Sequence, residues 1–426
     1  MKLHFSKSGL RHRLSVAVLL AFGASVWSAE KPTLKEACRG HFYIGVAINR
    51  PIATGTAVGA DNVSRTLDEV RADTALVLEQ FNQIAPENDL KWALIHPQAG
   101  PEGYDWAPAD AYVNFGLSHN LYLVGHTLVW HGQTPGWVFA GTNLPPATTN
   151  AMNGEANSRE GRRFGRGSGW SWLNRPHASR EELLERMREH IHTVVGRYKG
   201  KIKVWDVVNE AISDNGTNVL RNSPWSELIG PDFIAKAFAY AHEADPEAIL
   251  RYNDYGLENP VKRRKLITLI KSLQEQGVPV MAIGSQTHVS VSGPSFEEMD
   301  RTLTDLESLG LPIHITELDV NSAEGGQRNF GADISENATT TQGGLVEQAN
   351  QRLADQYASL FKAFLKHERS VQMVTFWGVN DAVSWRAGGR PLLFDGHDRP
   401  KPAYDAVLRV LSGEKLSLPE PAARQN

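Results

Sequence analysis

The sequence predicts a single (β/α)8 TIM barrel, and three features of the 426-residue chain support this fold class. Eight short apolar runs recur along the chain, helix-like segments alternate with them, and polar or aromatic side chains gather where several runs end. One barrel domain over 30–412 accounts for this alternation. The runs lie at about 42–48, 81–86, 121–128, 203–208, 249–253, 280–285, 312–318 and 371–379.

The helix between the third and fourth runs carries the clearest local signals. From Ser179 to Tyr198, apolar side chains recur every four residues, and Ser179 with Glu182 forms a capping box. Ser295 with Glu298 gives the same start signal before a later helix. A doubly wound open sheet is the alternative, but it needs a glycine-rich phosphate-binding turn after an early strand, and the sequence has none.

Composition restricts the class of partner. A net charge of -4 and a pI near 6.4 give no basic surface for nucleic acid. Cys38 is the only cysteine, so no intramolecular disulfide can form and stability must come from the core. We expect the protein to act as a monomer.

The N-terminus predicts export. Four basic residues within the first 13 positions precede an apolar stretch at 14–24, as in a secretory signal peptide over 1–29 with cleavage near 28/29. The stretch is shorter than the roughly 20 residues that cross a bilayer, so we expect no membrane span. A secreted or periplasmic location follows. At the other end, 413–426 is predicted to be a flexible tail.

Two long polar stretches, 141–176 and 321–344, predict extended loops after strands 3 and 7. The first is rich in arginine. It is either a solvated loop or a cationic rim of a binding site that pairs with carboxylate groups. The arginines in question are Arg159, Arg162, Arg163, Arg166 and Arg175.

Glu210 and Glu317 each lie where an apolar run ends. If both runs are strands of one barrel, the two carboxylates meet on the face where such barrels build active sites, and a facing pair of carboxylates is the minimum for glycosidic bond hydrolysis. Asn209 and Glu210 can both serve one cleft only where their strand ends, because successive strand residues point to opposite faces. Either glutamate alone could equally be solvated or ion-paired.

The other strand ends carry side chains that suit a sugar. Amides, imidazoles and carboxylates are hydrogen-bond partners for hydroxyls, and indoles match the apolar faces of pyranose rings. The histidines show no zinc-type spacing, so we expect neither a metal nor another cofactor. Residues of this kind at or near strand ends are Glu87, Asn88, Lys91, His126, Trp130, Gln286, His288 and Trp377.

The sequence resembles the family 10 glycoside hydrolases, whose characteristic activity is endo-1,4-β-xylanase. The resemblance covers nearly the whole chain after the N-terminal segment. Five motifs occur in order: EN at 87–88 with Lys91, GHTLVWH at 125–131, WDVVNEA at 205–211, GSQTH at 284–288 and TELD at 316–319.

The resemblance implies roles for these residues. Glu210 is expected to be the catalytic acid/base and Glu317 the nucleophile of a retaining, double-displacement mechanism, with xylan or xylo-oligosaccharides as substrate. Tyr255 is expected to reach the aglycone side. His288 is either a bridge between Asp319 and Glu317 or a satisfied core histidine. The glycone subsites are implied to include Glu87, Asn88, Lys91, His126, Trp130, Asn209, Gln286, Trp377 and Trp385.

The reaction requires the two carboxyl groups to differ in ionisation state. In a retaining enzyme they lie about 5–5.5 Å apart. Glu317 must be ionised, and its charge is expected to raise the pKa of Glu210. Two other functions remain open: a barrel hydrolase acting on β-glucans, which Lys91 and the Trp377/Trp385 pair disfavour, and a carbohydrate-binding protein without catalysis, which retention of both glutamates disfavours.

Overall fold

The computed structural model describes residues 31–57, 65–141, 176–323 and 344–413, together with Met1. The chain divides into two compact units after Pro32, and the fold and the candidate site belong to the second unit, Thr33–Asn426. The predicted signal peptide, most of the two polar stretches with all five arginines of the first, and the predicted tail lie outside the described residues, so they stay predictions.

Eight parallel strands close into a barrel, which confirms the predicted fold class. Each strand pairs with its neighbour in chain order, and the last pairs with the first, so the sheet closes on itself. Every predicted run coincides with a strand to within about three residues at either end. The strands are β1 (Tyr43–Ile48), β2 (Gln83–Pro86), β3 (Tyr122–Gly125), β4 (Val204–Asn209), β5 (Ile249–Asp254), β6 (Ala282–Ser285), β7 (Ile313–Asn321) and β8 (Val371–Phe376).

Helices alternate with the strands. The capping boxes predicted at Ser179 and Ser295 are present and open the helices Arg180–Arg197 and Phe296–Glu307. No helix within the described ranges is both long and apolar enough to cross a bilayer. The other α-helices of the described residues are Leu34–Ala37, Arg50–Thr54, Leu67–Gln80, Trp92–Ile95, Ala107–Ser118, Pro224–Leu228, Phe233–Ala244, Pro260–Glu275, Gly344–Lys366 and Pro402–Leu411, and short 3-10 turns lie at Pro101–Gly103, Gly136–Val138 and Ala387–Gly389.

The core has two parts, as the alternation of strand side chains requires. One large cluster joins the apolar faces of the helices to every second residue of the strands. A smaller one fills the barrel with the other strand residues, mostly small ones. Its members are Ala47, Ala85, Val124, Val204, Met373 and Trp377.

Two short strands extend the barrel at the carboxyl ends of its strands, where the site lies. Val129–Trp130 pairs with β4, and His288–Ser290 pairs with β7. The third predicted run is interrupted after Gly125, where a cis peptide bond joins His126 to Thr127. In contrast, β7 continues to Asn321. The continuation places Asp319 on the same side of the strand as Glu317.

Candidate active site

Glu210 directly follows the last residue of β4 and has a φ of 59°, in the left-handed region that glycine favours. This turn breaks the strand's alternation. As a result, Gln286 Nε2 donates to both Asn209 Oδ1 at 3.2 Å and Glu210 Oε1 at 3.0 Å. The condition that the strand must end here for both side chains to serve one cleft is therefore met.

The Glu210 carboxyl group is buried and accepts a hydrogen bond from an indole. Trp130 Nε1 donates to Glu210 Oε2 at 2.9 Å, and the residue is only 4% exposed. Burial raises the pKa of Glu210, and the charges of Asp254 and Glu317 add to this, against the opposing effects of Arg221 and Gln286. The expected direction is confirmed, although burial, rather than the charge of Glu317, is the largest cause.

Glu317 lies on β7 and receives two hydrogen bonds. Asn253 Nδ2 donates to its Oε1 at 2.8 Å, and His288 Nε2 lies 3.2 Å from its Oε2. Burial alone would raise the pKa of Glu317, but the hydrogen bond from His288 and the nearby imidazoles of His126 and His288 hold that pKa below its usual value. The two carboxyl groups thus have opposite pKa shifts, as an acid and a nucleophile require.

His288 bridges Asp319 and Glu317. Its Nδ1 lies 3.0 Å from Asp319 Oδ2, so the shared arrangement expected from the sequence is present. Burial lowers the pKa of His288, but the charge and hydrogen bond of Asp319, followed by those of Glu317, raise it to about 9. Asp319 is itself fixed by Trp385 Nε1 at 2.8 Å and Arg386 Nη1 at 2.5 Å. At neutral pH, a protonated His288 donates to both carboxylates.

Asn253, at the end of β5, belongs to the site, although no role for it was predicted from the sequence. Its Nδ2 donates to Asn209 Oδ1 at 2.9 Å as well as to Glu317, and its Oδ1 accepts from Thr316 Oγ1 at 2.7 Å. A continuous chain of hydrogen bonds therefore joins Glu210 to Glu317 through Gln286, Asn209 and Asn253. The one sequence feature that could have identified Asn253 was its position at the end of a predicted strand.

The end of β2 supplies three of the predicted sugar-binding residues. Glu87 follows that strand, and its backbone N–H donates to the carbonyl of Ile48 at 3.0 Å. Lys91 Nζ donates to Asn88 Oδ1 at 2.8 Å and lies 5.2 Å from the centre of the Trp130 ring. Lys91 is thus beside the indole that contacts Glu210, and Asn88 holds its ammonium group.

His126 contacts a buried network of charged side chains inside the barrel. Its Nδ1 lies 3.0 Å from Asp206 Oδ2, and Arg251 Nε donates to Asp206 Oδ1 at 2.6 Å. Burial would raise the pKa of Asp206, but Arg251 and His126 lower it to about 2. Arg251 also donates to His314 Nδ1 at 3.0 Å. The polar residues of β4, β5 and β7 were not predicted to act together, since the sequence does not show which inward positions share a layer.

The two tryptophans after β8 differ in exposure. Trp377 is 8% exposed, packs in the inner cluster and meets the His126 ring edge-on at 5.1 Å. Trp385 is half-buried and lies 5.0 Å from the ring of His288. Their predicted role as a platform for sugars stays a prediction, and Trp385 has the more accessible ring.

Tyr255 lies on the Glu210 side but is largely engaged by protein groups. It is 5% exposed, its hydroxyl accepts from Arg221 Nη2 at 2.7 Å, and it lies 2.5 Å from Asp214 Oδ2. Its predicted contact with the aglycone stays a prediction. Arg221, absent from the residues singled out in the sequence, is therefore part of this side of the site.

The barrel, its two carboxyl groups of opposite pKa shift and the surrounding amides, imidazoles and indoles define the class of a barrel glycoside hydrolase. Comparison with known families narrows this class. The family model described as glycosyl hydrolase family 10 matches residues 34–156 and 168–410, with its interruption inside the arginine-rich stretch. The chain belongs to glycosyl hydrolase family 10, which confirms the resemblance.

Individual relatives agree. The endo-1,4-beta-xylanase of Geobacillus stearothermophilus is 37% identical over 386 residues, covering 89% of this chain and 98% of that protein. A GH10 endoxylanase from a sugarcane soil metagenome superposes with a TM-score of 0.73 at 36% identity, covering 89% of this chain and 99% of that one. An intracellular xylanase of Thermoanaerobacterium saccharolyticum superposes with a TM-score of 0.69 at 33% identity, covering 89% and 99%.

Proposed function

We propose that this protein is a retaining endo-β-1,4-xylanase, with Glu210 as acid/base and Glu317 as nucleophile. The observation that carries the proposal is the opposite pKa shift of two carboxyl groups joined by one hydrogen-bond chain. Proteins named endo-1,4-beta-xylanase that align along most of this chain support the substrate.

The reaction proceeds in two displacements. In the first, an oxygen of Glu317 forms a bond to the anomeric carbon while the bond to the leaving oxygen breaks and Glu210 transfers its proton to that oxygen. In the second, water attacks the anomeric carbon, Glu210 accepts the water proton, and Glu317 leaves as a carboxylate. Both glutamates return to their starting protonation states.

The neighbouring side chains support these two roles. Gln286 and Trp130 each donate to one oxygen of Glu210, which fixes the orientation of its carboxyl group. His288 and Asn253 keep Glu317 ionised and oriented before attack. Sugar hydroxyls are proposed to bind Glu87, Asn88, Lys91, His126 and Asn209, and the sugar rings to pack against Trp377 and Trp385.

A β-glucan is the competing substrate. We propose that Lys91, which lies beside Trp130, and the two tryptophans Trp377 and Trp385 limit the room for the hydroxymethyl group of a hexose and so favour xylose. A product time course on xylan, mixed-linkage β-glucan and cellulose distinguishes the two substrates. Xylan alone should yield a ladder of intermediate oligosaccharides, first formed as the β-anomer by NMR. A first-formed α-anomer excludes the retaining mechanism. Faster cleavage of β-glucan than of xylan excludes xylan as the preferred substrate.

Two variants test the roles of the glutamates. Glu210→Ala should still form the glycosyl-enzyme from an aryl xylobioside with a good leaving group, because that step needs no acid, and should release it slowly. Glu317→Ala should form no intermediate. Mass spectrometry of the quenched enzyme detects the adduct. Adduct in the Glu317 variant, or equal loss of both steps in the two variants, would overturn the assignment.

We also propose that the protein is exported. The basic residues and the apolar stretch at 14–24 support this proposal. Fusing residues 1–35 to an alkaline phosphatase that is active only outside the cytoplasm should give activity, and replacing Leu19 and Leu20 by Arg in the fusion should abolish it. An inactive but stable fusion contradicts export.

A further inference from the structure

Arg221 returns to the immediate neighbourhood of Glu210 through a short antiparallel turn. Its backbone N–H donates to the carbonyl of Ala211 at 2.9 Å, and Ile212 forms a bridge with Leu220. Because Ala211 directly follows Glu210, the ten residues between Glu210 and Arg221 form a loop whose two ends meet, and this places Arg221 at the carboxyl end of β4. The side chain lines a small cavity together with Trp130 and Asn209.

Three neighbours hold the guanidinium there. Nη1 donates to His131 Nε2 at 3.1 Å, and Nη2 donates to the hydroxyl of Tyr255 at 2.7 Å and to Asp214 Oδ2 at 3.2 Å. His131 directly follows Trp130, whose indole contacts Glu210. The side chain of Arg221 is 20% exposed, so its charge is only partly screened by solvent.

The charges around this group form a balanced set. Lys262 Nζ lies 2.7 Å from Asp214 Oδ1 and 2.9 Å from Asp254 Oδ1, and Asp254 Oδ2 accepts from the backbone N–H of Ile212 at 3.1 Å. Two cations, Arg221 and Lys262, therefore face two carboxylates, Asp214 and Asp254. The four charges cancel, so ionisation of Glu210 adds a negative charge to a cluster that is otherwise neutral.

Four further titratable groups surround the cluster: His131, Tyr255, Lys265 and Glu317. Burial, with the charges of Arg221 and Lys262, keeps the pKa of His131 well below its usual value, so this ring is neutral. Burial raises the pKa of Tyr255, and its hydroxyl is also neutral. Lys265 Nζ donates to the backbone carbonyls of Ser213 and Asn215. The lowered pKa of Glu317, on β7, leaves that carboxyl group ionised, and its charge raises the pKa of Glu210.

We propose that Arg221 is a positioning residue for the reaction: held by Asp214, Tyr255 and His131, it sets the pH at which Glu210 loses the proton that it must deliver. The inference rests on the proposed function, since it assumes that Glu210 is the acid. The opposing influence of Arg221 on the raised pKa of Glu210 agrees with this geometry.

Arg221 and Asp214 carry opposite charges, so neutralising each of them should shift the alkaline limb of the pH profile in opposite directions. In Arg221→Gln the loss of a positive charge favours protonated Glu210, so the alkaline limb of kcat/KM moves to higher pH, by about one unit. In Asp214→Asn the loss of a negative charge favours the ionised form, and the limb moves to lower pH by a similar amount. Arg221→Lys keeps the charge and leaves the limb near its wild-type position.

The measurement is kcat/KM for xylohexaose between pH 4 and 10, with the carboxyl resonance of Glu210 followed by NMR in protein labelled with ¹³C-glutamate. Arg197→Gln is the matched control, because it removes an equal charge from an exposed ion pair with Asp110 and should shift neither readout. Because the two cluster variants shift in opposite directions, general damage to the fold cannot mimic the result.

The outcomes separate this inference from the proposed function. If the alkaline limb disappears in Glu210→Ala but stays in place in both Arg221→Gln and Asp214→Asn, Arg221 does not set it and the inference is wrong while Glu210 remains the acid. If the limb persists unchanged in Glu210→Ala, Glu210 is not the acid and the proposed function fails. Shifts of the same sign in the two cluster variants also overturn the inference.

Discussion

Asn253 Nδ2 lies 2.8 Å from Glu317 Oε1 and is the link through which Glu317 connects to Asn209 and onward to Glu210. A primary amide has two hydrogens, and Asn253 donates to two partners. Gln286 likewise donates to Asn209 and Glu210. The carboxyl groups are therefore oriented by the same amides, and moving one of them disturbs the other.

Changing Asn253 to Asp should impair the enzyme through charge as well as lost hydrogen bonding. The new carboxylate lies against Glu317, so it raises the pKa of Glu317 and moves the acidic limb of kcat/KM to higher pH. Loss of one positioned donor should lower kcat by about 10²–10³-fold. Asn253→Ala should lose activity with a smaller shift of the limb, since it adds no charge.

Asn259→Asp is the control for that substitution. Asn259 caps the helix Pro260–Glu275 through its side-chain oxygen, which an aspartate also supplies. The same chemical change there should leave the pH profile unaltered. An Asn253→Asp enzyme with a wild-type acidic limb would show that this amide does not control the ionisation of Glu317.

The sequence was sufficient to predict the barrel and the location of Glu210 and Glu317 at strand ends, because both depend on local patterns. Apolar runs mark strands, and polar residues where they end mark the functional face. The left-handed turn at Glu210 has no such signal, since Glu is not a residue that favours a positive φ. Strand ends were therefore predictable, but the backbone conformation that aims Glu210 was not.

Long-range pairing explains the residues that were missed. Asn253 contacts Glu317 across 64 residues of chain, and Arg221 contacts His131 across 90. Periodicity within a segment cannot show such contacts. Trp130 illustrates the same limit, because the resemblance placed it among the sugar-binding residues, whereas the structure also gives its indole N–H to Glu210.

Asp319→Asn should reveal the protonated state of His288 in stability as well as activity. The pKa of His288 in the folded protein is about 9, above the ordinary value of 6.5. The stability that protonated His288 contributes is therefore fully present below about pH 6.5 and is lost as the pH rises to 9. The wild type should therefore exceed the variant in free energy of unfolding most clearly at pH 6, and by less at pH 9.

Urea unfolding of both proteins at these two pH values measures the difference. The variant should also have an acidic limb of kcat/KM at higher pH, because a less basic His288 stabilises ionised Glu317 less. A stability difference independent of pH between 6 and 9 would contradict a protonated His288 in the folded state.

Arg251→Met should be among the most destabilising single substitutions in the barrel. It leaves Asp206 buried with the His126 ring as its remaining side-chain partner, and breaking a buried pair on one side costs about 3–5 kcal/mol. The pKa of Asp206, about 2 in the wild type, should rise. The lowered pKa of Asp206 stabilises the folded wild type fully above about pH 3.8, and this stabilisation is lost as the pH falls to 2. The difference in free energy of unfolding between wild type and variant should therefore shrink in acid.

Chemical denaturation at pH 7 and pH 3.5 tests this expectation. The exposed pair Arg197–Asp110 provides the control, since Arg197→Met should cost less than about 1 kcal/mol. A cost at Arg251 no larger than the cost at Arg197 would mean that the barrel relaxes or admits water around Asp206.

Asp398→Asn should stabilise the protein at neutral pH. Asn380 Nδ2 donates to Asp398 Oδ1 at 2.7 Å and to Asp73 Oδ1 at 2.6 Å, so two carboxyl groups share one donor. Burial, followed by the nearby charge of Asp73, raises the pKa of Asp398 to about 6. The stability that a protonated Asp398 contributes is therefore full below about pH 3.8 and is lost as pH rises through 6.

An asparagine keeps the acceptor oxygen, removes the charge and tolerates the positive φ of 62° at this position. The variant should match the wild type near pH 4 and exceed it at pH 7.5 by roughly 1 kcal/mol, a value reduced for the partial exposure of the group. Asp398→Ala loses the acceptor and fits the backbone poorly, so it should destabilise at both pH values. Thermal unfolding at pH 4 and 7.5 distinguishes the three proteins, and an equal effect of Asn at both pH values would show that folding does not raise the pKa of Asp398.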